Sequence, residues 1–504
     1  EPAAHTDHGV RPRRRGRTLL RRGLVADVSR HTLDRADVVV SAGRIETVST
    51  AAVQPGADDT VIDLDGHLVL PGFTNAHTHS YATLTRHVAA GMPLEPWMVH
   101  AWANTVGRGA DEVRLAAMLQ AVEGARTGTT TVLDHLGGSL DTLSSALEAY
   151  EEVGLKVHFA PMISDIPLPE TVGVPPRQWP PETEALAPDF AAPSAHELLE
   201  TVRELHRAWH GRSGRIAVML GPSAPQRCTD DLLKGCAALS EELDLPVHTH
   251  LLESRAQARM VPPAGARSWA EHLRRSGLLT SRLSLAHAVW ADPHDLDLIA
   301  EAGATIAHNP QSNLQLGSGI GQMHEWRSRG IPVALGTDGS NCASLDMLWS
   351  MRLAAILHRP GIADSTKWED PWSVLTMATS TGARGLGVGD GGLLVPGAPA
   401  DLTAFPIDTS PYSSGEDPLA SLVLSSYDHR ASVVLVDGEV VVNGGKATRV
   451  DEEAILAEAR DRHVHLMRRN HRLGQLAEKQ TTYLTRLAAR AAPTRALVEF
   501  EEQR

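Results

Sequence analysis

The chain has 504 residues, 42% of them apolar and 21% charged, a composition that excludes a mostly disordered chain and suits one large domain with a smaller companion, or two ordinary domains. Forty-seven Lys and Arg against 61 Asp and Glu leave a net charge of −14, which argues against nucleic acid or an anionic membrane as partner. Cys228, Cys236 and Cys342 are too few and too scattered for a disulfide framework or a thiolate zinc site, and no stretch approaches about 18 uninterrupted apolar residues, so the reading is a cytoplasmic protein in a reducing compartment.

Residues 1–17 are Arg-rich from Arg11 and lead into no apolar core, so a flexible tail or an anion-binding arm is expected rather than a signal peptide. From residue 18 to 70 short apolar runs (GLVADV, ADVVVSAGRIETV, DTVIDLDGHLVLPG) alternate with turn residues, and Ala42-Gly43 and Asp65-Gly66 read as hairpin turns. The same texture returns in ADLTAFPI and ASVVLVDGEVVVNGG, where Asp437-Gly438 separates two Val-rich strands. Residues 18–70 and 393–450 are therefore predicted to form one small β-sandwich around a central insertion.

Across that insertion, residues 71–392, the runs GTTTVLDH, LKVHFAP, GRIAVMLGP, DLPVHTHL, RLSLAHAV, ATIAHNP and IPVALGTD read as strands. Amphipathic stretches such as 111–127, 194–210 and 230–243 lie between them. About eight such units predict an α/β fold, a (β/α)8 TIM barrel, with the active site at the C-terminal ends of the strands. A Pro-rich segment, 164–193, follows LKVHFAP and would hang over the barrel mouth as a lid, or pack as a surface excursion. Residues 451–504 read as a charged helical extension that packs outside the barrel or helps an oligomer form.

The strongest local pattern is PGFTNAHTH, residues 71–79. Strand residues two apart share a face, so His77 and His79 can both grip one metal ion. In VHTHLLES, residues 247–254, His250 can be a third ligand, Glu253 lies just past the strand in reach of proton transfer, and His248 reads as a packing or supporting residue. His287 in LAHAVW and Asp338 in LGTDG end two further strands, and the aspartate can ligate or accept a proton. Each has an ordinary structural reading alone; together, at successive strand ends of one barrel, they are hard to produce by accident.

These residues sit in a series of motifs: GRIETV, LVLPGFTNAHTH, ARTGTTTVLDH, HTHLLES, AHAVW, AHNPQSNLQLGSGI, LGTDGSNCASLDML and LVPGAPADLTAF. Over nearly the whole chain, their order resembles the amidohydrolase superfamily, in its branch of metal-dependent heterocycle deaminases and triazine-type hydrolases. The resemblance implies one divalent metal per chain, zinc in first place with iron or manganese as alternatives, held by His77, His79, His250 and Asp338. It makes Glu253 the proton shuttle, Asp338 an acceptor of the water's proton, and His287 the group that hydrogen-bonds the attacking water or the substrate and steadies the developing oxyanion. Two-metal relatives need a carboxylated lysine; RIAVMLGPSAP has none, so a single-metal site is expected.

The resemblance places Trp97, His100, Trp102, Ser223, His308 and Asn313 on the substrate side, with Gln315 where the family commonly has lysine. Ser223 stands where adenosine-type deaminases carry a nucleoside-contacting histidine, and AWANTVGRG lacks the acid that would bind ribose; both argue against adenosine or S-adenosylhomocysteine. The expected reaction is hydrolytic release of ammonia from an amino-substituted nitrogen heterocycle. The alternative is the same attack with chloride, an alkylamine or a ring amide as the bond broken. A homodimer or larger homo-oligomer is expected.

Overall fold

The computed structural model describes residues 16–171, 192–263, 265–407, 417–426 and 430–491. Five strands lead the chain, β1 (Thr18–Asp27), β2 (Thr32–Ser41), β3 (Arg44–Ser49), β4 (Thr60–Asp63) and β5 (His67–Pro71). The middle carries β6 (Phe73–Thr78), β7 (Thr129–Leu136), β8 (Lys156–Ile163), β9 (Ile216–Val218), β10 (Gly221–Pro222), β11 (Val247–Leu251), β12 (Leu283–His287), β13 (Thr305–His308) and β14 (Val333–Leu335). Four more follow, β15 (Leu402–Pro406), β16 (Val433–Val436), β17 (Glu439–Asn443) and β18 (Lys446–Ala447).

The first five and last four strands share one nine-stranded sheet, in the order β18-β17-β16-β15-β5-β1-β2-β3 with β4 against β1. Its junction is the antiparallel pair β15–β5, with Leu402 opposite Pro71 and Phe405 opposite Leu68. Both ends of the chain are thus one hydrogen-bonded layer. Val25, Val38, Ile45, Leu402 and Leu435 bury there in an apolar cluster separate from the main core. At Ala42-Gly43 and Asp437-Gly438 both turn residues take positive φ (49° and 80°, 47° and 72°), the twist a two-residue hairpin requires. Asp65-Gly66 behaves differently from the sequence expectation. β4 runs parallel to the first half of β1 and β5 to its second half, so this turn carries the chain forward along one ten-residue strand without reversing it.

Strands β6 to β14 alternate with helices, among them Leu94–Thr105, Ala110–Arg126, Leu140–Val153, Ala195–Trp209 and Asp230–Leu243. Each helix returns the chain to the same sheet end, and every pairing among these strands is parallel. Ser194 starts one of them as a capping box, accepting from Glu197 N–H while the Glu197 carboxylate accepts from Ser194 N–H. The strands fall in two sheets, β10-β8-β7-β6 with β9 on β8, and β11-β12-β13-β14. The expected strand GRIAVMLGP is split into β9 and β10 at Met219-Leu220. Hydrogen bonds cross between the sheets at both ends: His248 N–H donates to Leu220 O (2.8 Å), and the Thr337 and Asp338 N–H groups donate to His77 O (3.1 and 2.9 Å). Lys156 ties β8 to the terminal sheet, its Nζ 2.7 Å from both Asp401 and Asp437.

The C-terminal extension forms two helices, Glu452–Arg469 and His471–Ala491. The second packs Ala477 and Leu484 onto Val99 and Ala103 of the helix Leu94–Thr105, with Leu168 in the same cluster. Of the expected lid only residues up to Thr171 and from 192 onward are described; 172–191, like the tail residues 1–15, lie outside the described residues. Among the described residues no helix is long and apolar enough to cross a membrane.

Candidate active site

Strand ends bring the sequence-marked residues to one point. β6 and the residue after it present His77 and His79, ring centroids 4.7 Å apart and nearly perpendicular. β11 presents His250, β12 ends in His287, and Asp338 follows β14. Gly336 makes the last approach: a Cβ there would lie 2.3 Å from Asn309 Oδ1 and 2.9 Å from His77 N, so a side chain would push β14 off β6. His287 (φ 74°) and Asp338 (φ 65°) both hold left-handed backbone, at a cost on the order of 1–3 kcal/mol each, which the surrounding hydrogen bonds sustain.

Each imidazole has its outer nitrogen engaged. His79 Nδ1–H donates to His135 O (2.5 Å), His250 Nδ1–H to Ser223 O (2.5 Å) and His287 Nδ1–H to Asn313 Oδ1 (2.8 Å). His77 Nδ1 lies 2.8 Å from His248 Nε2, and His248 Nδ1 lies 3.1 Å from Ser284 Oγ, a chain satisfied when both histidines carry their proton on Nδ1. Carbonyls only accept, so the Nε2 atoms of His79 and His250 are bare lone pairs, and they stand 3.3 Å apart. Two lone pairs that close repel unless a cation lies between them. His77 Nε2 is buried without any hydrogen-bond partner. Asp338 Oδ1 is 3.6 Å from His77 Nε2 and 3.4 Å from His79 Nε2, supplying the negative charge. Ligand atoms of His77, His79 and Asp338, and of His77, His250 and His287, lie within 4.8 Å of one another. The donor set fits a divalent metal of the zinc type.

The electrostatics agree. Burial pushes His77 and His250 well below the ordinary imidazole value, so both stay neutral and able to ligate. Burial opposes an ionised Asp338, but His77, His79 and His287 outweigh it and hold the carboxyl well below the usual range. Glu253 goes the other way. Burial, then the charges of Asp338 and Glu95, raise it well above the usual range, so it remains a neutral acid. Its Oε2 lies 3.7 Å from His287 Nε2, and Gln257 Oε1 accepts from its N–H at 2.8 Å. With its proton committed to Asn313, His287 offers Nε2 as an acceptor, 3.9 Å from Asp338 Oδ2.

A cleft of about 610 Å³, the open solvent at its mouth included, leads to this cluster. Trp97 and Ser223 line it. The other substrate-side residues are placed elsewhere. His100 turns its Nε2 to Thr481 Oγ1 (2.6 Å), and Trp102 packs in the apolar cluster beneath the C-terminal helix; that helix covers their face of Leu94–Thr105. His308 is buried against Trp326 and His358, Asn313 acts behind His287, and Gln315 is exposed. Three residues that sequence reasoning missed belong here. His135 stands among the histidine rings, with His248 5.2 Å and His250 5.1 Å away. Glu95 is buried and accepts from Ser254 Oγ (2.5 Å), nearly two helical turns ahead of AWANTVGRG. Arg227 lines the cleft.

Residues 68–441 match the family model described as the amidohydrolase family. The chain belongs to that family. The amidohydrolase is 34% identical over 425 residues to a 5-methylthioadenosine/S-adenosylhomocysteine deaminase of Nitratidesulfovibrio vulgaris, covering 84% of this chain and 90% of the relative. A 5′-deoxyadenosine deaminase of Methanothermobacter thermautotrophicus is 32% identical over 430 residues, covering 84% and 94%. Among solved structures, an adenosine deaminase from Xanthomonas campestris with bound zinc superposes with a TM-score of 0.78 at 27% identity, over 89% of this chain and 98% of the other. Atrazine chlorohydrolase from Arthrobacter aurescens complexed with zinc gives 0.78 at 25%, over 88% and 100%.

Proposed function

We propose that the protein is a metal-dependent hydrolytic deaminase that replaces the amino group of a nitrogen heterocycle by oxygen and releases ammonia. One observation carries the reading: bare Nε2 lone pairs converge on an ionised Asp338, with a neutral glutamic acid across the gap. His77, His79, His250 and Asp338 would hold the metal, zinc first. Bound there, a divalent ion supplies Lewis acidity that lowers the pKa of water from 15.7 to about 7. Asp338 takes the proton of the attacking water. His287, fixed by Asn313, accepts a hydrogen bond from that water through Nε2 and aims it, the water contact expected for it from sequence. Glu253 protonates the ring nitrogen, which makes the adjacent carbon electrophilic, and a neutral acid at this place is what the step requires. Proton return through the same carboxyl to the amine lets ammonia leave.

The relatives' names put adenosine derivatives at the head of the substrate panel, and Ser223 keeps other aminoheterocycles on it. We also read the two parallel half-sheets as one closed (β/α)8 barrel, residues 71–392, and the terminal sheet as a β-sandwich, since hydrogen bonds join the half-sheets at both ends and the terminal sheet encloses its own apolar cluster. The three cysteines are free and buried, which supports a cytoplasmic setting.

Ammonia release by the zinc-loaded protein on adenosine derivatives, aminopurines, pterins and aminotriazines tests the reading. Release from one ring class is the expected result. Chloride release from chlorotriazines without ammonia from any amine would replace it by the second reading, which the chlorohydrolase likeness keeps in play.

A further inference from the structure

Arg227 ends the short turn Pro225–Arg227 after β10 and lines the cleft beside Ser223 and Gln226. Among the described residues it is a cation without a counter-ion. Its Nη1 donates to Ser223 Oγ (3.3 Å), its Nε is buried with no partner, and the ionisable side chains acting on it are Cys228 and Tyr81, neither an acid that pairs with it. A guanidinium carries five N–H donors in a rigid fork, and leaving them unmatched in a cleft wall is costly unless a ligand completes them.

The position is informative. Ser223 is one residue with two contacts: its carbonyl holds His250 Nδ1, and its hydroxyl accepts from Arg227. Arg227 is therefore one side chain removed from the catalytic cluster, at the place where the small Ser223 leaves room that a histidine would fill. Tyr81 and Gln226 also line the cleft, and Ser223 Oγ is the one hydrogen-bond acceptor the fork meets among the described residues.

We propose that Arg227 forms an oxyanion subsite, so that the heterocycle this enzyme accepts carries a carboxylate or phosphate on the substituent directed towards β10. The assignment rests on the cleft being the substrate site proposed above. A bidentate oxyanion would satisfy the fork and fix which way round the ring enters.

Calorimetric binding to the zinc-loaded protein tests it with matched pairs: S-adenosylhomocysteine against its carboxamide, and adenosine 5′-monophosphate against adenosine, with the pterin and triazine carboxylates and their carboxamides as further pairs. In the wild type at least one anionic member should bind tenfold or more tightly than its neutral partner, and the pair concerned identifies carboxylate or phosphate. In Arg227→Gln that ratio should fall towards one, while Arg227→Lys, with charge but no fork, should keep part of it. A ratio near one in the wild type, a ratio that survives Arg227→Gln, or no binding by any anionic member overturns the subsite. Ammonia assays on the same compounds separate the two claims. Arg227-dependent binding without ammonia would sink the deaminase reading alone, and ammonia release with charge-independent binding would sink the subsite alone.

Discussion

Two clusters of histidines in this molecule invite comparison, one buried around Asp338 and one that pairs buried His308 with half-buried His358. Around Asp338 the four rings of His77, His79, His250 and His287 have their Nδ1 atoms engaged, so every Nε2 is aimed inward. Behind β13, His308 and His358 lie 5.9 Å apart, His308 has neither nitrogen partnered, and no carboxylate of the described residues pairs with either ring. Burial lowers His77, His250 and His287 in the first group and His308 and His358 in the second, favouring the neutral ring at each of these five. A buried, neutral histidine is thus not yet a ligand. The outer hydrogen bond that fixes the tautomer, and a nearby anion, make it one.

The contrast can be broken most severely at the proton shuttle. Glu253→Gln should lower kcat by about 10²–10⁴-fold while the metal content stays at one per chain, since the amide cannot carry the proton and ligates nothing. Near-normal turnover would remove Glu253 from the chemistry. Next in size is the metal itself. His250→Ala should leave metal content well below one per chain after dialysis, whereas His308→Ala should leave it at the wild-type value. Equal losses in the two variants would erase the distinction drawn here. A subtler strike is His248→Phe, which keeps a buried ring but strands His77 Nδ1. Metal affinity should fall about 10–100-fold, read by chelator competition, and an unchanged affinity would make His248 mere packing.

The part of the site that could be read from sequence is the part carried by strand geometry. His77 and His79 share a face because strands have period two, and His250, His287 and Asp338 each fall at the end of an apolar run, where such folds keep their chemistry. His135 ends GTTTVLDH in the same way, but the letters Asp134-His135 do not say which residue points inward. In the structure Asp134 accepts from Ser80 N–H and Tyr150 OH, and the histidine takes the inner side. His100 and Trp102 are placed outside the cleft lining for a different reason: a helix pattern gives a face, not its neighbour, and only the returning helix His471–Ala491 decides that this face is covered. Asp65-Gly66 carried the right residues for a hairpin, but the ten-residue β1 offered two partners in line. Arg227 and Glu95 were invisible because each becomes unusual only once its surroundings are known.

The effect that leaves the chemistry untouched belongs to the second histidine group, where stability should respond. Burial, then His324, push His358 down to about 4, against an ordinary value of 6.5. The unfolded chain therefore takes up this proton before the folded protein does. Its contribution is fully present above about pH 6.5 and is lost as pH falls from there towards 4. His358→Phe keeps a ring against His308 and removes the titration, so the fall in urea-unfolding free energy of the zinc-loaded protein across that window should shrink by at most about 3 kcal/mol. Metal content should not change. A pH profile identical to wild type would mean that His358 is hydrated enough to titrate freely.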